Sequence, residues 1–565
     1  MPSDFEEYEI QVMKDGRWNT EAVRNSETLS RQLAKELLGN KQCAGVRIVG
    51  NQSYRDGTTN ETVIFEKTQD VNGDKPIKIN TVEVANPRCK RPRDFFGLEG
   101  RMVFNRIFRN HLESVALTPT EILHSFQDIK RLQDRDNLVP SAVSHVAKLQ
   151  TANTDQTLRD RQDEIYGIVE QIVEQARRAD DMELPPLANS FSATLKDVAD
   201  FRGETPEYLG MVVLARDLSG VNSWTGKLDR LCQLADPETD RKAILLLDVV
   251  IADVLGANIV QELLGWKRSL GAAIIAMLDL ADGTFDPEES EITETTAMLC
   301  KLFSANALPA SRRVMIDRAL TQLKSSQPLS RNDPEKELEE YRRVMARLLV
   351  PGGIMSGGDA AEAITLRGTR FIEQGGATGR KKAINATVKT MPDPARGVMY
   401  LAELSNTNFA DEHLEDIVEQ LGVVFSARVI DELCRRSMSP KNRMVTATGA
   451  HDAALNSGLP EGIRDQVTEH IDGVLERYLL EENIIDKLDK PEDHIRDRAV
   501  RLVKFCGAGV LPADGEALTL ARQRVIALLR KPKFDTHYIE GIGDAAKAEK
   551  ALRDFHKLLI GAGIA

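Results

Sequence analysis

Aromatic side chains are scarce in this sequence, at 5% of 565 residues. Sheet-rich proteins usually carry more, so the shortage points to a chain built mainly from helices. Cysteine is sparse too: Cys43, Cys89, Cys232, Cys300, Cys434 and Cys506 include no close pair. That spacing argues against a disulfide framework or a CxxC zinc site and suits buried, reduced thiols in a cytoplasmic protein. Positive charge is in deficit. A formal net charge of −13 argues against nucleic-acid or anionic-lipid binding over the whole surface. Long apolar runs are missing as well. The most apolar stretch, residues 243–266, is interrupted by Asp248, Asp253 and Glu262, so it is expected to form a core helix and not a membrane span. No integral membrane association is expected. The opening residues, MPSDFEEYEIQVMKDGRW, lack the basic and apolar regions of a secretory signal.

Catalytic signatures are equally thin. Residues 352–358 (GGIMSGG) and 375–382 (GGATGRKK) are glycine-rich but lack the G-x-x-x-x-G-K-[ST] order of a phosphate-binding loop, and both are expected to be turns between helices. There is no G-x-S-x-G elbow. Glu121 and His124 share one helical face at a di-iron spacing, but no second copy exists. His451-Asp452 resembles the doublet of helical metal-dependent phosphohydrolases, with His413, Asp465 or His470 as further ligands, although ATGAHDAALNSGLP looks like a loop. Asp279–Asp286 matches a calcium loop only loosely. No cofactor or metal is expected.

What the chain does contain is an echo. Residues 286–312, 333–359 and 489–514 each open on an acidic residue and proline, continue as a helical stretch and break at a small-residue turn. The distance from Asp286 to Pro309 recurs from Asp333 to Ser356 and from Asp489 to Pro512. Leu302, Leu349 and Phe505 correspond, as do Leu308, Met355 and Leu511. A recurring helical unit is the mark of an irregular helix-pair repeat, a solenoid-like body whose modules stack on one another.

The N-terminus reads differently. Tyr8, Ile10 and Val12 alternate with polar residues as in a half-buried strand. Asp15-Gly16 suits a hairpin turn, and Trp18, Thr20 and Ala22 continue the return strand. Leu29, Leu33 and Leu37 give a following helix one apolar face. Strands near Val46–Val49 and Thr62–Phe65, separated by a loop holding Asp56-Gly57, complete a small ββαββ domain over residues 1–68. Residues 69–97 read as a basic, proline-containing linker, 98–230 as a first helical region and 231–565 as the helical-repeat region.

One segment concentrates scarce residues. Residues 88–109 hold Arg88, Lys90, Arg91, Arg93, Arg101, Arg106 and Arg109 against only Asp94 and Glu99, interleaved with Phe95, Phe96, Phe104 and Phe108. Met102, Phe104, Ile107, Phe108 and Leu112 can share a helical face, with Arg101, Asn105 and Arg109 turned away. Three uses compete: a first helix docked on the body, a docking segment for a partner protein, or a contact for nucleic acid or anionic lipid. The expectation from sequence is a non-enzymatic scaffold or adaptor that binds partner proteins through a helical surface and the N-terminal sheet domain. The alternatives are a nucleic-acid-associated regulator using residues 88–109 and a phosphohydrolase around His451-Asp452.

Overall fold

The computed structural model describes residues 7–14, 17–39, 45–53, 59–68, 79, 80, 82, 85 and 88–564, less 136, 153, 331, 332, 373–375 and 423–425. The chain divides into two compact units: Met1–Thr81 with Arg131–His145, and Val82–Lys130 with Val146–Ala565.

In the first unit the expected ββαββ order is present as β1 (Glu7–Lys14), β2 (Arg17–Arg24), α1 (Glu27–Gly39), β3 (Gly45–Ser53) and β4 (Thr59–Thr68). The antiparallel sheet runs β2-β1-β3-β4, leaving β2 and β4 at its edges. Period-two alternation buries Tyr8, Ile10 and Val12 with Val46 and Ile48 beneath α1. The opposite face carries a polar network beside Met13, Trp18 and Val49: Gln11 donates to Glu9 (2.9 Å), Arg47 donates to Gln11 (2.7 Å), and the Arg47 guanidinium lies 4.7 Å from the Trp18 ring centre. A bulge between Ile10 and Gln11 makes β2 change faces, so Ala22 packs on the core while Thr20 donates to Glu9 on the open face. Helix α1 is rotated from expectation. Ser30, Leu33, Ala34 and Leu37 face the sheet, and Leu29 is exposed, because a strict four-residue spacing drifts around a 3.6-residue helix. The Asp15-Gly16 turn, the Asp56-Gly57 loop and residues 69–78 of the expected linker lie outside the described residues.

The second unit is helical. Its spine is a row in which each helix packs on the next: Arg241–Leu255, Pro309–Lys324, Gly358–Thr369, Pro394–Leu404, Pro440–Leu455, Glu461–Glu481 and Glu516–Leu529. Leu270–Ala281, Gly376–Thr390 and Ile495–Cys506 pack beside this row. One hydrophobic cluster extends from Phe191 to Ala562. Helix starts are fixed locally, since Asp240, Ser269, Asp393 and Ser439 each accept a backbone N–H three residues on.

The echo is visible as a shared plan. Each copy supplies a twelve-residue helix (Thr293–Ser304, Glu337–Leu348, Ile495–Cys506), a break, and a second helix that joins the spine. The residue matching slips, however. Leu302 lies inside its helix, whereas Leu349 begins a two-residue strand just after the helix end. Leu308, Met355 and Leu511 are buried alike. The expected single helix over 243–266 is instead two, Arg241–Leu255 and Val260–Leu264. Residues 376–382 and His451-Asp452, expected in loops, are helical. Glycine misled the reading of the second: Gly449 sits in a helix because the backbone of Gly352 crosses it, and a Cβ there would come within 2.5 Å of the Gly352 carbonyl oxygen.

Candidate functional site

The basic-aromatic segment forms two helices, α2 (Pro92–Phe96) and α3 (Leu98–Val115), and it separates into a buried part and an exposed part. Lys90, Arg91 and Arg93 are exposed. Asp94 accepts the backbone N–H groups of Lys90 (2.9 Å) and Arg91 (3.0 Å), and those bonds hold its carboxyl below the usual range. Arg88 lies 3.4 Å from Glu164. Phe95 and Phe96 are half-buried, and Phe96 packs with His124 and Tyr208, ring centres 5.1 and 5.7 Å away. Phe104 and Phe108 are buried and pack on each other at 4.7 Å. With these rings inside, the aromatics of α3 form no platform for bases.

Arg101 departs furthest from expectation. It is not turned away but 1% exposed, and it donates through Nε to Asp253 Oδ1 (3.1 Å) and through Nη2 to Asp253 Oδ2 and Thr120. Thr120 adds its backbone N–H (3.1 Å) and hydroxyl (2.7 Å) to the same Asp253 carboxylate. A guanidinium wholly paired in this way fits on an apolar face, which periodicity alone does not anticipate. A second ion pair lies on the same short helix, α4 (Pro119–Leu123): Lys227 Nζ reaches Glu121 at 2.5 and 2.7 Å, both side chains 1% exposed. Burial pushes the Lys227 ammonium below the usual lysine range, against the pull of Glu121. His124 donates from Nδ1 to the Thr120 carbonyl (2.8 Å), and burial, with Arg101 nearby, lowers its pKa to about 3. The Glu121–His124 pair is thus held by structural partners.

Farther along α3, Arg106 and Arg109 open into a cleft of about 210 Å³ between α3 and the helices Arg241–Leu255 and Pro309–Lys324. Arg109 donates to Glu113 (2.8 Å) and Asn258 (2.7 Å), and Arg106 lies 3.8 Å from Asp317. Arg318, unmarked in the sequence reading, completes the cationic lining. Its Nη1 donates to the carbonyls of Leu255 (3.0 Å), Gly256 (2.8 Å) and Ala257 (2.7 Å), closing the C-terminus of that helix. Burial, with Arg109 beside it, lowers its pKa to about 10.

A second feature was also missed. Trp266 is 84% exposed on the loop before Leu270–Ala281. The base of that loop is clamped. Gly265 has φ +62°, and a Cβ there would fall 2.1 Å from the Glu289 carbonyl oxygen. Lys267 pairs with Glu289 (2.6 Å) and lies 5.0 Å from the Phe285 ring centre, and Ser269 caps the next helix. Gly-Trp-Lys-Arg-Ser at a break between apolar helices was the available signal.

The other candidates dissolve into structure. Arg380 pairs with Glu412 (2.9 Å) and Lys381 with Asp416 (2.6 Å). Asp279 and Asp282 hold Arg347 at 2.6 and 2.7 Å. His451 bonds Asp452 and His413 bonds Asp416, each at 3.1 Å. Among the described residues no group of three His, Cys, Asp or Glu side chains could hold a metal ion, and no helix is long and apolar enough to cross a membrane. Comparison with protein-family models, curated proteins and solved structures finds no match.

Proposed function

We propose that this chain is a non-enzymatic scaffold or adaptor that binds partner proteins through its helical body and its N-terminal sheet unit. The observation that carries the reading is Trp266: a large apolar side chain held out on a clamped loop, in a chain with three tryptophans. Tryptophan anchors dominate protein interfaces, and a pre-ordered loop lowers the entropy lost on binding. The sheet unit adds β2 and β4, its outer strands, for strand pairing. We place its action in the cytoplasm, in keeping with five described cysteines that are buried and not joined in disulfides.

The test is affinity capture with the full chain, its Trp266→Ser variant, and a chain lacking residues 1–81. Stoichiometric capture of a protein by wild type, lost on Trp266→Ser, supports the reading. Identical capture by wild type and Trp266→Ser removes its main support. The nucleic-acid alternative retains Lys90, Arg91 and Arg93 as exposed cations. It predicts salt-sensitive binding that disappears when all three are changed to Gln.

A further inference from the structure

We propose that the cleft between α3 and the helices Arg241–Leu255 and Pro309–Lys324 binds a single oxyanion of the phosphate or sulfate class, held by Arg318, Arg109 and Arg106. The inference stands apart from the scaffold reading and rests on charge that the fold leaves uncompensated. Four guanidiniums line the cleft against two carboxylates. Of the carboxylates, Asp253 is bound to Arg101 and Thr120. Asp317 lies 3.8 Å from Arg106, and burial raises its carboxyl, while Glu113 pairs with Arg109 at 2.8 Å, so among the described residues Arg318 is the lining guanidinium with no ion pair of its own. Arg318 has no carboxylate within ion-pairing distance among the described residues, and its protein acceptors are three backbone carbonyls on Nη1 alone. Among the described residues its Nε and Nη2 have no acceptor. A desolvated cation without a counter-charge is unfavourable, and an anion beside it restores the balance.

The walls suit this occupant. Leu98, Met102 and Val314 give the cleft apolar walls, which strengthen any charge-assisted bond beside them, while Asn105, Thr321 and Gln322 add polar groups to the lining. At about 210 Å³ the space is smaller than pockets for drug-sized ligands. It therefore takes an ion or the terminal group of something larger. Planar guanidiniums match oxyanion geometry better than lysines do.

Isothermal titration of the full chain with sodium sulfate and inorganic phosphate, against chloride at matched ionic strength, tests the proposal. Wild type is expected to bind both saturably. Arg109→Gln and Arg106→Gln alter side chains at the cleft's rim and should each weaken binding about tenfold, with an unchanged circular dichroism spectrum. Arg318→Lys should weaken it further. Absence of saturable binding by wild type, or equal binding by wild type and both rim variants, overturns the proposal. A phosphoserine peptide binding more tightly than phosphate assigns the group to a partner chain, whereas equal affinity assigns it to the free ion. Failure here with Trp266-dependent capture intact would leave the scaffold reading standing.

Discussion

Helix α3 presents arginines to two different surroundings. Toward its start, Arg101 meets Asp253 and Thr120 in a region where cation, carboxylate and hydroxyl are mutually satisfied. Toward its end, Arg106 and Arg109 join Arg318 in the cleft that the Arg101–Asp253 pair also borders, where cations outnumber acids. The residue type is the same and the same helix supplies both groups, yet the energetics are opposite. A buried pair that is complete contributes little beyond specifying how helices dock, but losing one partner strands the other. An incompletely paired cleft adds little to stability and leaves binding capacity free.

The largest effect should come from breaking the complete pair. Arg101→Met leaves Asp253 buried with only Thr120 for company, and urea unfolding of the helical unit should show a loss of about 3–5 kcal/mol. The double variant Arg101→Met/Asp253→Leu should recover most of that loss, although Thr120 then lacks its acceptor. A single-variant cost below about 1 kcal/mol would show that the pair does not hold α3 to the Arg241–Leu255 helix.

His124 sharpens the contrast with pH. Its folded pKa, about 3, lies below the ordinary imidazole value of 6.5. Between those values the unfolded chain takes up a proton that the folded chain refuses. Stability from this group is complete above the unfolded pKa and falls as pH drops from 6.5 toward 3, by up to about 1.4 kcal/mol per unit. His124→Gln should flatten that part of the stability curve. Wild-type and variant curves of equal slope from pH 6 to 4.5 would count against the buried neutral imidazole.

Much of the architecture is legible because its signals are local. Alternation through Tyr8, Ile10 and Val12 marks the strand whose inner face is buried, whereas Asp-Pro is a looser mark: Asp393 caps the helix Pro394–Leu404, but Asp286 caps only a 3-10 turn and Asp236 closes a helix. The charge pairs are not local. Asp253 is 152 residues from Arg101, and no period connects them. The clue lay in the acids that interrupt the apolar stretch 243–266. Asp248 accepts the N–H groups of Ala310 (2.7 Å) and Ser311 (2.9 Å), and Asp253 takes Arg101. An acid inside an apolar helix asks for a buried partner, and counting it as an interruption hides that demand. Arg318 escaped notice for a related reason: its role depends on the end of a helix about sixty residues earlier in the chain, which only packing brings near.

The smallest effect on stability should come from Trp266, and that is its diagnostic value. With its side chain largely in solvent, Trp266→Ser should shift unfolding by no more than about 0.5 kcal/mol. The base of the same loop should behave oppositely. Gly265→Ala would drive a Cβ against the Glu289 carbonyl at a positive φ, so the loop must move and unfolding should occur earlier. Both changes should abolish partner capture, one by removing the anchor and the other by misplacing it. If Gly265→Ala destabilises the chain while capture persists, the loop's geometry is not what presents the anchor. If Trp266→Ser destabilises as much as Gly265→Ala, the indole belongs with Arg101 among the groups that hold the fold together.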